Sequence, residues 1–190
     1  MIAQLLGDDP DTSGRYLAEV VYGANDGIVT TFAVVSGVAG ASLSPAIVLV
    51  LGVANLLADG FSMGMSNFLS RRSELDYRRS RQDAAGKTPA GAENAAEGLE
   101  DGKSPGATAA VTFLSFVVAG AAPLVPYALG VEGAFRLSVA FTALTFFLVG
   151  ASRSLVTTRR WYAGGTEMLL VGMAAALVAY TVGNVLGGLA

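Results

Sequence analysis

The 190-residue chain has no cysteine and no histidine. Without cysteine there is no disulfide framework and no thiolate metal site, and redox chemistry says nothing about compartment. Without histidine the commonest general base and the commonest transition-metal ligand are missing. Any chemistry must then run on carboxylates, amides, hydroxyls and thioethers. No nucleophile elbow is present, and Ser36 and Ser62 lack a base, so the chain is read as a non-enzyme that needs no cofactor. Charge is scarce as well. Only 14% of residues are Asp, Glu, Lys or Arg, against about a quarter in soluble domains. The net charge of −3 is too mild to imply a nucleic-acid partner. The start, Met1 to Gly14, is acidic without a basic n-region, so no cleaved signal peptide is expected.

What the chain has instead is long apolar runs. Glu19 to Ala41, Pro45 to Leu69, Ala107 to Tyr127, Ala134 to Ser152 and Thr166 to Leu189 each approach the ~20 residues a helix needs to cross a bilayer. The expected fold is therefore an all-α, multi-pass integral membrane protein. It comprises an amino-terminal segment at 1–18 and a domain of five transmembrane helices at 19–190. With five spans, every Lys and Arg except Arg136 falls on the side of the amino terminus, which the positive-inside rule makes cytoplasmic. An odd number of spans argues against a simple inverted repeat, so a pseudo-symmetric pathway would need a second copy.

The segment at about 70–106 changes character midway. RRSELDYRRSRQD is expected to continue helix two beyond the membrane, and the Ala-, Gly- and Pro-rich stretch at 82–106 reads as a flexible linker. Glu93, Glu97 and Glu100 could share one face of a short helix, but a solvated linker is the simpler reading than a metal-collecting face. Glu74 and Asp76 likewise read as surface charge that could also draw cations to the entrance.

The residues most informative about function are acids inside the apolar runs. A carboxylate near the bilayer centre costs about 3 kcal/mol, so it persists only with a partner or a task. Asp26 and Asp59 are the two clear cases, and Glu19 lies two turns before Asp26 on the same helical face. At 1.5 Å per residue, Asp26 lies roughly 10 Å from the inner end of its run, Met63 roughly 9 Å and Asp59 roughly 15 Å. Asn55, Asp59, Met63 and Asn67 form an i, i+4 stripe on helix two. Two neighbouring helices are thus expected to present carboxylates, amides and one thioether at a common depth. Oxygen ligands suit Mg²⁺, Ca²⁺ and Mn²⁺; an added thioether tilts the set towards Fe²⁺. A proton and a metal ion would compete for the same oxygens.

Structural readings stand beside these. A membrane-embedded Asp can pair with Arg or cap a broken helix, although these runs offer Asp26 and Asp59 no Lys or Arg. Met63 can be simple packing, Glu19 can sit among headgroups, and Glu167 at the inner end of the fifth run reads as interfacial. Gly23 with Gly27, and Gly183 with Gly187, form GxxxG pairs that suit packing within one subunit as well as between two.

The run YGANDGIVTTFAVVSGVAGAS, followed by GVANLLADGFSMGMSNFLSRRSELDY, resembles the first two helices of the vacuolar iron transporter family. The likeness is strong over Arg15 to Tyr77 and looser at AAPLVPY and VGMAAALVAYTVGNVLGG. It implies a five-helix homodimer in the lipid bilayer, with an ion path between the copies lined by helices one and two. It also implies movement of Fe²⁺, often also Mn²⁺, out of the cytoplasm in exchange for protons. Carried over by motif, Asp26 of NDG is the translocation-path acid, Met63 of SMG its thioether partner and Glu19 the inner-entrance acid. Asp59 is nominated by depth alone. Many members carry Glu or Gly where Asn67 stands. Many also carry a larger, Glu- and Met-rich cytoplasmic domain where this chain has a short, methionine-free linker, so no full metal-storage domain is expected. The short form resembles bacterial members and points to a bacterial plasma membrane. A passive cation channel and a non-transporting membrane regulator or scaffold are the rival readings.

Overall fold

The structure, a computed structural model, describes residues 14–84, 103–155 and 160–189. The amino-terminal residues 1–13 and most of the linker, including Glu93, Glu97 and Glu100, lie outside the described residues. What is described is helical throughout: α1 (Leu17–Gly40), α2 (Pro45–Ala84), α3 (Pro105–Gly120), the short α4 (Val125–Ala128), α5 (Ala134–Ser152) and α6 (Trp161–Gly187).

Local chemistry sets the helix limits. Pro45 and Pro105 open α2 and α3, where a missing N–H costs nothing and the fixed φ favours the first turn. The Ser104 hydroxyl caps α3 by accepting from the Ala107 amide at 3.1 Å. Pro123 and Pro126 then break the third run into the 3₁₀ turn Ala122–Leu124 and α4. The expected span to Tyr127 is kept as one membrane-length stretch, Pro105–Ala128, with a 3₁₀ turn set into it at the prolines. The link from α4 to α5 turns through Gly130 and Gly133, whose φ angles of +62° and +71° side chains rarely adopt. The last helix begins at Trp161, five residues before the expected Thr166, which sets Glu167 in its second turn.

Four stretches among the described residues are long and apolar enough to cross a membrane: Pro45–Arg81, Pro105–Ala128, Ala134–Ser152 and Trp161–Gly187. The remaining long helix, α1, has 24 residues but carries Glu19, Asn25 and Asp26. It packs against α2, α3, α5 and α6, so its polar groups are set among the other helices.

The glycines explain how α1 fits. Added side chains at Gly23 and Gly27 would collide with the α3 backbone at Thr112 and Phe116, and at Gly183 and Gly187 with Gly37 and Ala41 of α1. Both GxxxG pairs are thus used inside the subunit, bringing α3 and α6 against α1. α3 and α5 bury matching stripes, Thr108, Thr112, Phe116 and Gly120 in one and Ser138, Thr142, Phe146 and Gly150 in the other. The glycine contacts show that the two stripes run in opposite directions: Gly23 and Gly27 climb with Thr112 and Phe116, whereas Gly150 meets Gly164 and Phe146 meets Gly172. The larger core cluster gathers Phe32, Val35, Val48, Leu56, Phe116 and Leu124 from all these layers.

Candidate functional site

On α2 every fourth residue from Val48 through Gly52, Leu56 and Gly60 to Gly64 is buried. The smallest of these admit α3: a Cβ at Gly64 would lie 3.0 Å from the Ala109 carbonyl. Beside this ridge runs the half-buried stripe Asn55, Asp59, Met63 and Asn67. Close packing of the ridge therefore fixes where the polar stripe points.

The structure brings Asp26 and Asp59 together across α1 and α2. Both are half-buried, and their carboxylates lie within reach of each other's charge. Among the described residues neither forms a salt bridge. Asp26 sits beside Gly27, which lies flush against Phe116, and its main-chain carbonyl accepts the Thr30 hydroxyl at 2.8 Å. The backbone there is satisfied, leaving the carboxylate as the group without a base. Met63, one turn from Asp59, packs its half-buried side chain against the larger core cluster.

Two expected site residues are engaged elsewhere. Lys103, just ahead of α3, donates to both Glu19 oxygens at 2.8 and 3.0 Å, and its ammonium stands 5.8 Å from the Tyr16 ring centre. The Glu19 and Lys103 side chains are 12% and 15% exposed, so this is a largely desolvated pair. Asn67 donates from Nδ2 to the Thr112 hydroxyl at 2.7 Å, and Thr112 in turn donates to the Thr108 carbonyl at 2.9 Å. That amide ties α2 to α3. Farther along α2, Glu74 bridges Arg71 and Arg78 at 2.7 and 2.6 Å, and Asp76 lies 3.8 Å from Arg79. Both acids are accounted for by charge pairs along the helix extension.

Among the described residues no three acidic side chains gather into a group able to hold a metal ion. Sequence reasoning missed Lys103 as the counter-ion of Glu19 and Thr112 as the partner of Asn67. Nothing in local spacing signals either, since the partners are 84 and 45 residues apart.

The chain is similar to proteins named as vacuolar iron transporters. It is 46% identical over 78 residues to one from Toxoplasma gondii, covering 39% of this chain and 26% of that protein. A Plasmodium berghei relative is 44% identical over 62 residues, covering 33% and 23%. The chain therefore spans only about a quarter of the length of these relatives. "Vacuolar iron transporter 1" of Oryza sativa subsp. japonica is 26% identical over 213 aligned residues, 89% of this chain and 84% of that protein. The model of the VIT family matches residues 17–95 and 87–184, nearly all of the helical bundle. Membrane-length helices and that match together make the chain a multi-pass membrane protein, and it belongs to the VIT family.

Proposed function

We propose that this protein moves divalent transition-metal ions, Fe²⁺ and Mn²⁺, out of the cytoplasm in exchange for protons. One observation carries the reading: Asp26 and Asp59 lie on two helices within reach of each other's charge, and among the described residues neither forms a salt bridge. Such acids persist inside a membrane only with a partner or a task. The Met63 thioether supplies a softer donor that favours Fe²⁺ over Mg²⁺ or Ca²⁺. When the ion leaves, a proton can take its place on the same oxygens. The names of the relatives support iron as cargo.

In this reading α1 is the fifth span and the basic end of the bundle faces the cytoplasm. Two acids and a thioether leave a metal shell incomplete. The exposed faces of α1 and α2, where Tyr22 and Phe61 are 59% and 63% accessible, meet those of a second copy to complete it. Glu19 is the inner-entrance acid, and Lys103 is the cation an arriving metal displaces. The relatives are named for the vacuole; for this short form we propose the plasma membrane of a bacterium.

Proteoliposomes test the scheme. Fe²⁺ or Mn²⁺ should accumulate under an imposed proton gradient, and dissipating the gradient should stop it. Asp26→Ala should abolish accumulation while the protein still folds. Undiminished uptake by that variant, or flux indifferent to the gradient, overturns the antiport reading.

A further inference from the structure

Between the starts of α1, α3 and α6 lies a cavity of about 710 Å³. Arg15, Lys103 and Arg153 line it, with Glu167 as the acid among them. Lys103 is bound to Glu19, and Arg153 and Glu167 make interactions of their own. Among the described lining residues three side chains are basic and one is acidic. The starts of α1, α3 and α6 meet there with the end of α5, where Arg153 stands as the C-cap and its cation suits the helix's negative end.

The other wall is apolar. Val21, Met168 and Val171 form it, and Val171 is 60% exposed on the flank of α6. A basic mouth above an apolar flank, at the end of membrane-length helices, is the arrangement found where headgroups give way to acyl chains. Basic pockets between membrane helices take anionic headgroups, and guanidinium groups bind phosphate oxygens in pairs.

We propose that this cavity binds an anionic phospholipid. Its phosphodiester, with a single negative charge, lies between Arg15 and Arg153, and one acyl chain runs along Val171. Free phosphate shares the oxyanion chemistry but makes no use of the apolar wall. The site adjoins the proposed metal entrance through Lys103, but neither Asp26 nor Asp59 lines it, and lipid binding is read separately from metal flux.

The test uses the purified full-length protein in neutral detergent, titrated with phosphatidylglycerol, with phosphatidylcholine of the same acyl chains, or with inorganic phosphate. Bound lipid is counted by native mass spectrometry, and unfolding temperature is followed in parallel. Phosphatidylglycerol should be retained and raise the unfolding temperature, while the other two leave it unchanged. At about 1 kcal/mol per basic residue, Arg15→Gln with Arg153→Gln should weaken phosphatidylglycerol binding roughly 30-fold. Val171→Trp, on the exposed rim, should also weaken it, and Arg72→Gln, outside the cavity, should not. Equal retention of both lipids, full stabilisation by phosphate alone, or unaltered binding by the double variant overturns the proposal. Should the double variant not fold, undiminished binding by Val171→Trp does the same.

Discussion

At the start of α1, Glu19 is gripped by a lysine at 2.8 Å, whereas two turns along Asp26 has another carboxylate, Asp59, for company. The two acids share a helix and a face, yet among the described residues one has a salt-bridge partner and the other has none. Burial costs both of them hydration, so each must recover it from a partner. For Glu19 that partner is built in. For Asp26 the proposed partner comes from outside, as a proton or a cation, and this would separate a held charge from one available for exchange.

After Asp26→Ala, the next largest effect is expected from Asp59→Asn. It keeps shape and removes the second charge, so metal affinity in transport assays should fall by more than the roughly 10–100-fold typical of outer-shell changes. Equal flux in that variant would break the contrast, because Asp26 alone would then suffice. Lys103→Met strands a largely buried carboxylate and should destabilise the fold by about 3 kcal/mol, read by denaturation in detergent. Adding Glu19→Gln should recover most of that loss, and a double-mutant cycle yields the coupling. Glu19→Gln alone should lower flux less than Asp59→Asn; a larger drop would move Glu19 into the same class as Asp26. The smallest effect belongs to Asn67→Ala. Loss of its bond to Thr112 should cost about 0.6 kcal/mol, the average for hydrogen bonds between membrane helices, with metal selectivity unchanged.

Much of the architecture could be read ahead of the coordinates because membrane helices announce themselves in composition. Apolar runs, with Pro45 and Pro105 at two starts, located the helices to within a few residues. The stripe of Asn55, Asp59, Met63 and Asn67 followed from helical periodicity, and the nearness of Asp26 to Asp59 from counting depth on two adjacent helices. Periodicity could not say what each polar group touches. Glu19 finds its base, and Asn67 its hydroxyl, on a stretch reached only after the whole linker. The glycine pairs were visible, but their use within the subunit depends on where α3 and α6 dock. Pro123 and Pro126 were visible too, but not the 3₁₀ turn they set inside a run that hydropathy rightly carried through them.

α2 has 40 residues and no proline after its first, so at 1.5 Å per residue it is a rod of roughly 60 Å. About half of that length matches the hydrocarbon thickness of a bilayer, and the rest stands clear of it. A shaft without a hinge joins the arginine-rich tip to Asp59 in one continuous helix, so the two are parts of a single stiff body.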